Sequence, residues 1–255
     1  MDWSRTKTIL IGAFLLLDLF LGYQVYVTRI DSWSGQEITQ SDIGEVELYL
    51  SEHDITLETE VPQETPEMSY LQAEYLGINP FQTHEQPGVE ATLEKMSLVA
   101  TLNPPLKIKG QIVPDDLLRQ LGPLLMYGEE YDADLYQSSQ SRLLYWQTYG
   151  KRPVFVAPLE VFLDKGVIPG YSQTYLHLRE QEGVRQVISG YTALRSLVEK
   201  KIILPGERIE SVSLGYYGSH EADIQSLVPA WRVIHDGKIH FVNAFTGALE
   251  RPIAP

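Results

Sequence analysis

From Ile9 to Val27 the chain runs 19 residues of which twelve are Leu, Ile, Val or Phe. As a helix this run would be about 28 Å long, close to the thickness of a bilayer's hydrocarbon core. A cleaved secretion signal is the competing reading. The apolar run is longer than such a signal's core, however, and Tyr23, Gln24, Tyr26 and Arg29 stand where small cleavage-site residues belong. The expectation is an uncleaved transmembrane helix over residues 9–27, after a cytoplasmic N-terminus of residues 1–8. Arg5 and Lys7 precede the span and orient it with the bulk of the chain outside the cell, although Arg29 on the far side weakens the asymmetry. Trp3 at one end and Tyr23, Tyr26 and Trp33 at the other sit near the expected interfaces, where amphipathic rings partition well.

Asp18 lies near the middle of this run. A central Asp costs roughly 3 kcal/mol on insertion, which twelve strongly apolar residues at about 0.3–0.6 kcal/mol each offset. Helical spacing puts Ile11, Leu15, Asp18, Gly22 and Val25 on one face, with the carboxyl one turn from a glycine that lets another helix come close. That face is the expected partner-binding surface. The bland alternative is an Asp18 that is merely tolerated, protonated or hydrated through a local bilayer defect.

The chain's formal charge is −14, and residues 1–30 contribute +1, so the remaining 225 residues carry −15. A field of that sign repels nucleic acid and anionic surfaces, and no basic cluster with interleaved aromatics opposes it. The absence of cysteine rules out disulfide staples, thiolate metal sites and cysteine nucleophiles. With 255 residues, 44% of them hydrophobic, there is enough chain for one or two cores.

Residues 28–40 read as a juxtamembrane linker, and Ser41 or Asp42 starts a helix reaching about His53. Ile55 to Val61 alternates as a half-buried strand, residues 67–77 read as a helix, and residues 78–90 as a loop. Glu90 to Leu102 reads as one strand ending before Pro104-Pro105, and Pro114-Asp115-Asp116 opens a helix that buries Leu117, Leu118 and Leu121. Strands follow near residues 131–138, 142–148, 154–163 and 171–178. A helix over residues 190–200 then carries one apolar stripe of Val187, Tyr191, Leu194 and Val198. Val212, Leu214 and Tyr216 share a strand face, and Asp236-Gly237 is suited to a type I′ hairpin that pairs His235 with Lys238 and Trp231 with Val242. The expected fold class is α+β: the transmembrane helix, then two related extracellular units of antiparallel sheet with packed helices, residues 41–150 and 151–255.

Motifs for chemistry are missing. No H-E-x-x-H occurs, and the six histidines are scattered, with only His235 and His240 on a common sheet face. Neither G-x-S-x-G nor S-x-x-K with its companions is present, and no glycine-rich phosphate loop appears. Asp132 and Asp134, or Glu129 and Glu130, could be offered as glycosidase carboxylates, but among 34 acidic residues they read as solvated surface. Catalytic residues, metal ligands and cofactors are therefore expected to be absent.

Two stretches carry a resemblance. Met1-Asp2-Trp3-Ser4-Arg5-Thr6-Lys7-Thr8-Ile9 runs straight into the apolar segment, and Pro229-Ala230-Trp231-Arg232-Val233 is followed by Asn243-Ala244-Phe245-Thr246-Gly247. Together with Gly215-Tyr216-Tyr217 they resemble the YycI family, membrane-anchored accessory proteins of the WalK (YycG) sensor histidine kinase. The resemblance implies a non-enzymatic regulator of a two-component system in cell-wall homeostasis, partnered by the kinase and a sister protein, YycH, through transmembrane helices. The tail is also similar to a PepSY-type module, which leaves open a tethered extracellular binding or inhibitory domain.

Overall fold

Period-two alternation of apolar and polar residues builds most of this protein. The computed structural model describes residues 7, 10, 12–22, 40–75, 88–94, 96–218 and 224–251. Residues 12–22 are helical. After them come α1 (Gln40–Glu52), β1 (Thr56–Leu57), β2 (Glu67–Met68), β3 (Leu71–Tyr75), β4 (Val89–Glu94), β5 (Ser97–Lys107) and α2 (Pro114–Leu121). Then follow β6 (Tyr131–Asp134), β7 (Arg142–Tyr149), β8 (Arg152–Asp164), β9 (Val167–Gln173), β10 (Leu176–Glu180) and β11 (Arg185–Gln186). The chain ends on α3 (Gly190–Glu199), β12 (Arg208–Tyr217), β13 (Ile224–His235) and β14 (Lys238–Asn243).

Twelve strands form one mixed sheet along the path β10, β3, β13, β12, β8, β9, β5, β4, with β1 beside β12, β14 beside β13, and β7 carrying β6 onto β8; β2 and β11 pair separately. The fold is α+β, a large mixed sheet with few helices. Two cores form on it. One gathers α1, α3, β3, β10 and β12 to β14 around Trp231, Leu194 and Leu71. The other gathers α2, β4, β5, β7 and β9 around Leu117, Leu121, Tyr145 and Tyr171. Strand β8 serves both, since Val154 to Ala157 lie in the first core and Leu159, Val161 and Leu163 in the second. Residues 150–151, where the two units were expected to meet, form the turn between the paired strands β7 and β8, and each core draws on chain from both sides of it.

Helix boundaries follow their local signals. Leu117 and Leu121 of α2 are buried, with Pro114 in its first turn and Asp115 and Asp116 near its positive end. The stripe Val187, Tyr191, Leu194, Val198 is buried, and Ser189 caps α3 by accepting the Thr192 N–H. Helix α1 packs beside it, with the Tyr191 hydroxyl donating to Glu47 at 3.1 Å. The β13–β14 register is the expected one, His235 opposite Lys238, Val233 opposite His240 and Trp231 opposite Val242. Asp236 and Gly237 both have positive φ, 43° and 71°, as a type I′ turn requires.

Four expectations are corrected. Of the helix expected over residues 67–77, residues 67–75 hold β2 and β3 instead, because Leu71 and Ala73 alternate into the core and β3 pairs with both β10 and β13; residues 76 and 77 lie outside the described residues. Glu90 to Leu102 is a hairpin of β4 and β5 rather than one strand, and β5 continues to Lys107. It passes Pro104 and Pro105 because they fall in a register shift between Thr101 and Leu106, where no ladder N–H is needed. The stretch expected as one strand over residues 171–178 is divided between β9 and β10. Finally, Ile55 to Val61 keeps its alternating burial, yet only Thr56 and Leu57 pair, in parallel with β12. The expected loop lies largely outside the described residues, as does the linker before α1.

Strands β8 and β12 pass so close at Gly215 that an added Cβ would lie 2.3 Å from the Pro153 carbonyl oxygen and 2.6 Å from the Phe155 ring. Only glycine fits. Gly215→Ala should lower the free energy of unfolding by about 1–3 kcal/mol, the cost of forcing packed backbone apart. Urea denaturation checks it, and a loss within error of zero would show that the two strands separate freely.

Candidate functional site

Of the expected partner-binding face, Leu15, Asp18 and Gly22 lie within helical residues 12–22 and are exposed; Ile11 and Val25 lie outside the described residues. The neighbouring apolar side chains are exposed as well, from 47% for Leu21 to 69% for Leu16. A Cβ added at Gly22 meets nothing within 4 Å, which leaves room for a second helix. Among the described residues no helix is long and apolar enough to cross a membrane.

A second site was not anticipated. Asp134, expected as solvated surface, is 4% exposed, and Arg232 of β13 is 5% exposed and ion-paired with it. Around that pair the carboxylate is fully occupied. Its Oδ2 accepts from the Trp146 indole N–H at 2.7 Å and from Arg232, while Oδ1 accepts from the backbone N–H groups of Tyr136 (3.0 Å) and Gln137 (3.3 Å). Burial alone would raise this carboxyl's pKa, but the charge and hydrogen bonds of Arg232, with Trp146 and the Gln137 N–H, outweigh it and hold the group below its usual range. Arg232 also donates to Ser213 at 3.3 Å, and its guanidinium lies 4.6 Å from the centre of the Phe155 ring. Of the other carboxylates considered, Asp132 is exposed, and Glu130 accepts the Tyr175 hydroxyl at 2.8 Å.

Beside this pair opens a cavity of about 260 Å³ lined by Gln137, Trp146, Phe155, Tyr217, Ile239, His240, Phe241 and Glu250. Its rings are mutually braced. Tyr217 stacks on Phe241 at 3.8 Å, Phe155 is tilted against Phe241 at 5.3 Å, and Trp146 meets Phe155 edge-on at 5.8 Å. The rings come from four different strands, so no short motif announces them. The sequence signal that was available is Arg232 itself, a lone cation in the apolar run from Val228 to Ile234, which calls for a buried counter-ion.

On the opposite face of the hairpin, His235 is fully buried and stacks on His240 at 5.0 Å. Its Nδ1 lies 2.8 Å from Glu207 but off the direction of a hydrogen bond, and Nε2 has no hydrogen-bond partner among the described residues. Glu207 is held at a pKa of about 2 by the Lys238 ammonium at 2.6 Å and the Leu204 N–H at 3.0 Å. Burial, with His235 and Lys238 nearby, holds His240 below the usual imidazole range. Among the described residues no group of three or more His, Asp or Glu is placed to hold a metal.

Comparison with known proteins gives a family and a fold. The family model described as YycI protein matches residues 34–245. A crystal structure of an uncharacterized protein from Eubacterium rectale ATCC 33656 is similar in fold, with a TM-score of 0.52 at 10% identity over 78% of this chain and 91% of that one. No curated protein matches the chain in sequence.

Two measurements test the buried groups. Asp134→Asn leaves the Arg232 charge uncompensated and should cost about 3–5 kcal/mol, whereas Asp134→Leu combined with Arg232→Met should recover most of that loss, as paired removal of a buried ion pair does. A double variant no more stable than the single one would show that the pair matters for something other than its charges. For His240 the unfolded chain holds the proton more readily, so its contribution to stability is present above about pH 6.5 and lost as the pH falls through the depressed folded value. Urea midpoints should therefore decline on acidification below about pH 6.5, less steeply in His240→Gln. Glu207 adds its own loss only at lower pH, between the ordinary Glu range and about 2.

Proposed function

Because the chain belongs to the YycI family, we propose that it is a membrane-anchored accessory regulator that acts on a YycG (WalK) sensor histidine kinase through its N-terminal helix. The family is a regulatory accessory family rather than an enzyme family, and membership associates the chain with the YycG/WalK two-component system. In this reading residues 9–27 span the membrane, the N-terminus is cytoplasmic, and the α+β domain stands outside the cell beside a YycH-like sister protein.

The observation that supports the helix reading is the exposure of residues 12–22 on every side, Leu16 and Leu19 at 69% and 63% included. Water penalises such a surface by about 25 cal/mol for each Å² of apolar area, and lipid does not. A carboxyl on that helix is costly in lipid unless another helix supplies a donor, which favours Leu15, Asp18 and Gly22 as the contact line. Docking there regulates the kinase only if the helix binds its two signalling conformations unequally.

The chain contains no cysteine, so single cysteines along residues 9–27 give an unambiguous crosslinking map. Capture of the kinase or the sister protein should recur with helical period and centre on Asp18. Asp18→Leu and Gly22→Leu should each reduce co-purification and change kinase output. If both outputs survive replacement of residues 9–27 by an unrelated apolar span, the helix is only a tether and the outer domain does the work.

A further inference from the structure

We propose that the aromatic cavity beside the Asp134–Arg232 pair binds a small organic cation of the alkylammonium type. This inference goes beyond the helix-mediated role and does not depend on it.

Trp146, Phe155, Tyr217 and Phe241 line the cavity, with Tyr217 and Phe241 stacked on one another. The faces of aromatic rings are the negative ends of their quadrupoles, and several of them around one volume attract a cation, most strongly where water is excluded. The protein already uses one of these rings in that way, since the Arg232 guanidinium lies 4.6 Å from the Phe155 centroid. That cation is matched by Asp134. Glu250 in the lining differs: its carboxylate accepts from the neutral Asn243 amide at 2.8 Å and forms no ion pair among the described residues. A negative charge in the lining of an aromatic cavity thus remains available to a ligand, in a chain whose formal charge is −14.

Size and polarity narrow the class. At about 260 Å³ the cavity falls just below the usual range of small-molecule sites, about 300–1,000 Å³, so it suits one compact group. A sugar ring would also stack on aromatic walls, but it needs several unoccupied polar partners. Here the Gln137 carbonyl oxygen accepts from Arg232 at 3.4 Å and one oxygen of Glu250 accepts from Asn243, which leaves the carboxylate's charge rather than a set of polar partners. A methylated ammonium needs only ring faces and a counter-charge.

The test uses the full chain in a maltoside detergent, with the Trp146 indole N–H followed by NMR during titration with choline. A second titration uses choline's uncharged carbon isostere, in which a tert-butyl group replaces the trimethylammonium, and a third uses N-acetylglucosamine. Choline should shift the indole signal saturably, and the isostere should bind at least about fivefold more weakly, the share of affinity owed to the charge. Glu250→Gln, which keeps an acceptor for Asn243, should weaken choline severalfold without moving the urea midpoint. No saturable shift with choline overturns the proposal. Equal affinity for the isostere also overturns it and leaves a merely apolar cavity, and a shift with N-acetylglucosamine alone replaces it with a sugar site. The comparison of choline with its isostere on the unaltered chain decides the matter even if the variant does not fold.

Discussion

A carboxylate and a guanidinium taken out of water together set the terms for the rest of this structure. Asp134 belongs to the hairpin β6–β7, which packs with the second core, and Arg232 to β13, which runs through the first. Any arrangement that parts them leaves an isolated buried charge, which costs several kcal/mol. The pair therefore ties the two cores at one point, 98 residues apart in sequence, where apolar packing alone would tolerate sliding. Strand β8 supplies the covalent counterpart of the same tie by lending its two ends to different cores.

The final hairpin is built on that anchor and presents two different faces. One, with Trp231, Val233 and Val242, closes over α3, and the Trp231 indole donates to the Ile188 carbonyl at 2.8 Å. The other carries Arg232, Ile239 and Phe241 toward Trp146 and Phe155, and it is this face that forms the cavity. Alternation along β13 makes both possible: one position of slip would exchange the indole for the guanidinium and bury each against the wrong surroundings.

Membership in the YycI family and the exposed apolar helix address different parts of the chain. The family match spans residues 34–245, the α+β domain, whereas the exposed Leu and Phe side chains of the N-terminal helix precede it. A regulator that works through its helix needs the domain for position or for a ligand, and an aromatic cavity lined by a carboxylate that has no ion pair among the described residues provides a physical means for the second.

Sequence alone determined whatever depends on neighbours a few residues away. The apolar run at residues 9–27, the Pro114 start of α2, the buried stripes of α2 and α3, and the Asp236-Gly237 turn with the whole β13–β14 register all follow from local periodicity and turn chemistry. It misjudged residues 67–75, where Glu67, Met68, Leu71, Gln72, Ala73 and Glu74 favour a helix locally and pairing with two distant strands prevails. Tertiary structure alone decided the burial of Asp134, its union with Arg232, and the meeting of Trp146, Phe155, Tyr217 and Phe241. Those residues lie on separate strands, and only strand order brings them together. An acidic residue in an acidic chain reads as surface until the fold supplies the one cation that can repay its desolvation.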